Sequence, residues 1–486
     1  MRKSIARLCL GLVVLLLSGP VRAGGLEDAE ALLEDNRTTA AMTLLRSHIE
    51  EHPEDVAAHE LLIDILINAK LFEEAEEIYR SRKDDDTSSA DAWYLLGRTL
   101  MNPESAQSAY EQAIQLSPGH PRATMGRAAI FRATGRYPEA MTEYRAALRQ
   151  DPTLAEAWVG LWASQGMADD MEGALQTARQ AAEAIPKTVE PWLVIAELDP
   201  NSALTTLRSG AANNPESARI WTELARRSMR ARSLSTSASA YSQSIRLSPS
   251  DRTLRIEAAM LEEITVGTLD WDPVFTLLDT RAAPRSPETL AALDVVVADW
   301  PRSPLARMIR GNTLQMQGDV ASAEDDLRLA RQLSPTNPEI ASSLGLLLLG
   351  DRRPGDAQPH LSSAWKARSD DVALGIALAI SLAEGSDPGA GGLLLLELQE
   401  KFPASAGPPM TLAQLLIDLG EAERAYSILL EAIQRSPDPN LIIALASAAQ
   451  LAGRPVEAAG ALSTLSERTG DPRFAEAGRQ LLTSSQ

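Results

Sequence analysis

Five histidines, His48, His52, His59, His120 and His360, are the most versatile side chains in this 486-residue sequence. Their spacing argues against a metal centre. His52 and His59 flank Pro53, which keeps them off one helix face. His59-Glu60 leads into Leu61-Leu62-Ile63 without the second histidine that an HExxH zinc helix needs. Neither a GxSxG nucleophile elbow nor a Walker loop occurs. Paired acids are plentiful, as at Asp169-Asp170, Asp325-Asp326 and Asp370-Asp371. General acid–base chemistry needs carboxylates in a cleft that shifts their pKa values. On helical hairpins such pairs mark solvated faces, or helix starts where the positive dipole end favours them. The expectation is a non-enzyme with no metal and no cofactor.

The elements that carry these residues follow one recurring spacing: Ala, an aromatic or Leu four residues on, Ala three further, and Pro five further. It reads Ala140, Tyr144, Ala147, Pro152; then Ala323, Leu327, Ala330, Pro335; then Ala425, Leu429, Ala432, Pro437. The last two copies lie three times 34 residues apart, the length of a helix-turn-helix unit. Aromatics are 4% of the chain, and Ala, Leu, Glu and Arg dominate, which favours helices over sheets.

Each position has a packing reason. Gly or Ala lets two helices of a hairpin cross closely, bulky residues fill the gap to the next hairpin, glycine permits a left-handed turn, and proline stops the second helix. Trp93 with Leu96-Gly97, Trp221 with Leu224-Ala225, Gly311 with Gly318 and Ala323, Leu344-Gly345 with Ala357, and Leu412-Ala413 with Gly420 and Ala425 all fall in phase. On these residues the chain resembles the tetratricopeptide-repeat (TPR) superfamily over nearly all of its length, in its exported bacterial envelope type. The resemblance implies an all-α, right-handed superhelical solenoid of about 11–12 hairpins. Trp93, Trp158, Trp192 and Trp221 share one repeat position and read as core packing.

The register breaks once. Pro249 to Pro335 is 86 residues, two units and 18 left over, with the anomaly within 264–303. Pro273 and Pro287 suit first turns of helices, and Leu290 to Trp300 predicts one unpaired helix. The segment is either a joint between two superhelical blocks or an insertion in one solenoid. The expected organisation is an N-terminal block 24–263, the irregular joint 264–303, a C-terminal block 304–471 and a cap helix within 472–486. Glycine density across Glu384 to Gly392 predicts a long inter-helix turn there.

Residues 1–23 read as a signal peptide. Arg2, Lys3 and Arg7 precede the apolar run Leu8–Leu17, and Val21-Arg22-Ala23 is a small-residue cleavage site. The run is short for a bilayer span of roughly 20 residues, though an uncleaved anchor is the rival. Cys9, the sole cysteine, lies inside this segment, so the mature chain holds no thiol. Cleavage leaves 42 basic against 66 acidic side chains, a net −24 that repels nucleic acid. Half of that charge falls in 24–86, with 18 acidic and six basic residues, either as a solvated end cap or as a docking end for a basic partner.

In the family the first helix of each hairpin lines a concave groove. The resemblance therefore assigns Tyr94, Arg98, Arg122, Arg132, Arg219, Arg226, Asn312 and Gln315 to the candidate binding face. Guanidinium groups suit carboxylates through paired hydrogen bonds, so a partner with acidic or extended segments is one reading of this face. Ion pairing between neighbouring repeats is the other. The expected function is a non-catalytic protein–protein interaction scaffold that assembles or stabilises a bacterial cell-envelope machine for secretion, motility or polysaccharide export. It would act in the periplasm, with no membrane span after cleavage, and reach the outer membrane only through partners. The alternative is a periplasmic factor guiding an anionic glycan toward an exporter.

Overall fold

The computed structural model describes residues 25–34, 38–280, 284–385, 387–469 and 472–484. Among them 28 helices follow one another without a strand, from Gly25–Glu34 to Pro472–Ser484. The fold is all-α, a solenoid of helical hairpins. The expected signal segment, with Cys9, lies outside the described residues. No described helix is long and apolar enough to cross a membrane.

The chain divides into two compact units, 1–228 and 229–486. Within each, consecutive helices pair, as Pro121–Ala133 does with Tyr137–Gln150 and Pro338–Gly350 with Pro354–Ala367. First helices of neighbouring hairpins also touch, as Val372–Glu384 touches Gly407–Asp418. The recurring spacing supplies these contacts: Ala140, Tyr144 and Ala147, Ala323, Leu327 and Ala330, and Ala425, Leu429 and Ala432 are all buried. Close approach needs the missing side chain. A Cβ on Gly97 would lie 2.5 Å from the Tyr110 ring, and one on Gly126 2.6 Å from the same ring.

Helix ends are equally regular. A capping side chain followed by proline opens several helices, as at Asn102-Pro103, Ser303-Pro304 and Asn337-Pro338. The Ser303 hydroxyl, for example, accepts the Ala306 N–H at 3.0 Å. First helices end in a six-residue backbone loop: Arg136 N–H donates to Phe131 O at 2.8 Å and Leu71 N–H to Leu66 O at 2.9 Å. The residue just inside that loop is left-handed. Gly135, Gly318, Gly420 and Gly453 fill it without strain, while Lys70, Asp169, Arg232 and Arg352 hold φ between 54° and 64°.

Three expectations change. The glycine-rich stretch 384–392 is a short turn, because Pro388–Lys401 is already helical and Asp387 caps it by accepting the Ala390 N–H at 2.9 Å. Its glycines serve packing, since a Cβ on Gly391 would stand 2.6 Å from Ala379 O. The helix expected at 290–300 runs Pro287–Asp299 and packs on both Trp271–Thr280 and Pro304–Gln317, so it is paired. Of the four repeat tryptophans only Trp158 is buried.

What unites those tryptophans is a polar bond. The indole N–H of Trp93, Trp158, Trp192 and Trp221 donates to the carbonyl six residues earlier, on Thr87, Pro152, Pro186 and Pro215, at 2.8–3.0 Å. The clamp ties each first helix to the turn that precedes it. His59 Nε2 lies 3.2 Å from Pro53 O in the same arrangement. In the second unit arginine takes over: Arg307 Nε donates to Pro301 O at 3.0 Å, and Arg255 reaches Pro249 O.

Candidate protein-docking faces of the repeats

In the first unit Tyr94, Arg98 and Arg122 sit in a lattice of charge. Tyr94 is buried, and its hydroxyl donates to Glu60, 34 residues earlier on the neighbouring first helix. Arg98 Nη2 donates to Asp64 at 2.6 Å, also 34 residues back, and Arg98 Nη1 lies 3.6 Å from Glu60. Arg122 Nε stands 3.2 Å from Glu60, so one carboxylate gathers three repeats. Burial pushes Asp64 up to about 6; Arg98 opposes this and the Glu156 and Glu60 charges add to it. The lattice thus holds Glu60, Asp64 and Glu156 in addition to the expected arginines.

The other candidates are dispersed. Arg132 is half-buried with its Nε–H lacking a hydrogen-bond partner, and its charge and hydrogen bond oppose the upward push that burial exerts on Tyr144. Arg219 Nη1 donates to the buried Glu190 at 2.7 Å. Arg226 is half-buried. His120 joins two hairpins: its Nδ1 accepts the Ala123 N–H at 3.1 Å while Nε2 donates to Asp91 at 3.0 Å. That bond holds Asp91 below the usual carboxylate range.

In the second unit Asn312 is half-buried and Gln315 exposed on Pro304–Gln317. The strongest charge centre lies elsewhere. Arg252 Nε is 3.0 Å and Arg255 Nε 2.7 Å from the Glu339 carboxylate, and Arg368 Nη1 donates to both of its oxygens at 3.0 Å. Arg252 Nη2 also donates to Ser343 at 2.6 Å. Helix Arg252–Val266 thereby reaches a helix 84 to 91 residues further on. At its other end Glu263 accepts from Ser303 Oγ and from Leu305 N–H at 2.8 Å, capping Pro304–Gln317. Burial pushes Glu263 up to about 7 against those hydrogen bonds.

Tetratricopeptide-repeat family models match residues 100–155 and 285–338, and a second model of the same repeat matches 32–99. Over these residues the chain carries tetratricopeptide repeats. No curated protein matches it. Among solved structures it is similar to a complex of Naa15 and Naa10 bound to HypK-THB, at 14% identity over 95% of this chain and 78% of that one, with TM-score 0.36. It is also similar to YrrB, a TPR protein with an unusual peptide-binding site, at 17% identity over 38% of this chain and 99% of that one, TM-score 0.28. The APC/C hetero-tetramer Cut9-Hcn1 matches at 12% identity over 93% and 95% of the two chains, TM-score 0.30.

As a tetratricopeptide-repeat protein the chain is a protein–protein interaction scaffold. The candidate set of arginines with Tyr94, Asn312 and Gln315 allowed for ion pairs between repeats but named none of the acidic partners. Glu60 and Asp64 were findable, because the repeat period places them 34 residues before Tyr94 and Arg98. Glu339 was not: its partners Arg252 and Arg255 stand 87 and 84 residues away, which no multiple of 34 predicts.

Proposed function

We propose that this tetratricopeptide-repeat protein is exported and assembles or stabilises a bacterial cell-envelope machine by holding partner segments on its first helices. The observation that carries the scaffold part is the repeat array itself, whose stacked first helices present side chains from successive hairpins side by side. The export part is supported by residues 1–23, with their basic start, apolar run and Val21-Arg22-Ala23 site. In the first unit Arg98, Arg122 and Arg219 already pair with Asp64, Glu60 and Glu190. Capture of an acidic segment there is therefore an exchange of carboxylates on fixed guanidinium groups, which favours specificity over raw affinity.

The test uses the protein in its native envelope. Its isolated mass should correspond to a chain beginning near Gly24, and affinity capture should bring down partners in fixed stoichiometry. Reversing Arg122, Arg132 and Arg226 to Glu together should release those partners. A full-length mass together with no stoichiometric partner overturns the proposal.

A further inference from the structure

The acidic N-terminal end carries a pair of imidazoles that takes no part in the charged lattice. The sequence argued against a metal because Pro53 parts His52 from His59; in space His52 meets His48 instead. Thr38–Glu51 ends just before His52, yet the His52 N–H donates to His48 O at 2.8 Å, so the two residues stand one helical turn apart on one side. Their ring centroids lie 4.9 Å apart with the planes tilted by 42°. The His48 side chain is 15% exposed and that of His52 53%.

Asp55 sets the tautomer of His48. Its Oδ1 caps Val56–Asn68 by accepting the Ala57 and Ala58 N–H groups at 3.1 and 3.2 Å, and its Oδ2 accepts from His48 Nε2 at 2.9 Å. With the proton on Nε2, Nδ1 keeps its lone pair, as in a carboxylate–histidine–metal arrangement. Gly25 stands before that nitrogen: a Cβ there would lie 2.3 Å from His48 Nδ1. A zinc–nitrogen bond is about 2.0–2.1 Å, so glycine leaves open the place an ion would take. An ion bonded in this way lies roughly 3.2 Å from each ring centre. Two rings at a tetrahedral angle then have centres about 5 Å apart, close to the 4.9 Å observed.

We propose that His48 Nδ1 and one nitrogen of His52 chelate a divalent transition-metal ion of the imidazole-seeking kind, zinc or copper, in the space that Gly25 leaves open. No group of three or more His, Cys, Asp or Glu side chains is placed to hold a metal among the described residues, so water completes the shell and the ion exchanges readily. Two imidazoles one turn apart are the chelating unit of zinc-binding helices, and imidazole favours zinc and copper, whereas Mg²⁺ and Ca²⁺ take oxygen ligands. Residues 24–86 hold 18 acidic against six basic side chains, which raises the local concentration of cations. Bound there, the ion locks the last turn of Thr38–Glu51 against the start of Gly25–Glu34 and, through Asp55, against Val56–Asn68. It thereby stabilises the first unit by mass action. This holds whether or not the first helices capture a partner.

The experiment titrates the untagged full chain with zinc chloride by calorimetry, with magnesium chloride as the comparison. One zinc ion per chain should bind, and Mg²⁺ at the same concentrations should not. His52→Ala and Gly25→Ala should each weaken zinc binding about tenfold or more, while His360→Gln, far along the chain, should leave it unchanged. Far-UV circular dichroism checks that each variant is folded. Copper added to the unaltered chain should give an electron paramagnetic resonance spectrum split by two imidazole nitrogens, a readout that needs no variant. Zinc affinity unchanged in His52→Ala or in Gly25→Ala overturns the inference. An equal response to Mg²⁺ does so too, because the acidic surface alone would then be the binder, and so does a copper spectrum without the two nitrogens.

Discussion

Lys70 carries φ of 61° at a turn where other helices use glycine, as at Gly135 and Gly318. A left-handed L-residue costs about 1–2 kcal/mol, part of which glycine returns as unfolded-chain entropy. Lys70→Gly should therefore stabilise the first unit by about 0.5–1 kcal/mol, read as a higher urea midpoint with unchanged slope. The indole clamps make a second residue-scale case. Trp192→Phe keeps most of the ring but removes the 3.0 Å bond to Pro186 O, and should cost about 1 kcal/mol in the same assay. The tryptophan positions were legible from the period alone, because spacing identifies a repeat position. Their hydrogen bond was not, because a carbonyl six residues back is brought into reach only by the turn between hairpins.

Helices join through buried carboxylates as well as through apolar rows. Glu263 on Arg252–Val266 caps Pro304–Gln317 by accepting from Ser303 and Leu305, while Trp271–Thr280 and Pro287–Asp299 lie between them in the chain. Its folded pKa of about 7 exceeds the free value of 4.5, so between these values the folded state binds more protons than the unfolded chain. Stability from this group is therefore greatest below about pH 4.5 and is lost as pH rises toward 7. Glu263→Gln should flatten that slope in the second unit, an effect on the order of 3 kcal/mol across the interval, followed by thermal unfolding at pH 5 and 7. An unchanged pH slope would mean that Glu263 is ionised throughout. At this scale the sequence marks 264–303 only by a broken period. It could not say which elements meet around it, because a Glu facing a helix start leaves no periodic mark.

Across each unit, contacts that step from one hairpin to the next build the array, and the Arg252, Arg255 and Arg368 cluster on Glu339 departs from that rule. Three guanidinium groups on one buried carboxylate repel one another. Burial lowers the Arg368 pKa first, with the Arg255 and Arg252 charges acting in the same direction. Glu339→Ala should cost about 3 kcal/mol, chiefly because it leaves the buried Arg368 with Asp371 as its remaining carboxylate, while the more exposed Arg252 turns to solvent. Chemical unfolding of the full chain should then show residues of the second unit melting first, resolved by hydrogen exchange; uniform loss of protection would contradict the cluster's local role.

Sequence alone determined the repeat, its helical hairpins and the buried small residues that let them cross, because periodicity and side-chain size act through local and nearest-neighbour geometry. It also selected the first helices as the candidate recognition faces. Tertiary structure decided which charges on those faces meet, joining Arg98 and Arg122 to Glu60 and Asp64 in a lattice and pairing Arg219 with Glu190 apart from it. It also decided that Arg252 and Arg255 reach Glu339, 87 and 84 residues further along the chain. The reason is that a pairing between distant side chains depends on how each hairpin is rotated against the next, and that rotation accumulates from packing at every interface.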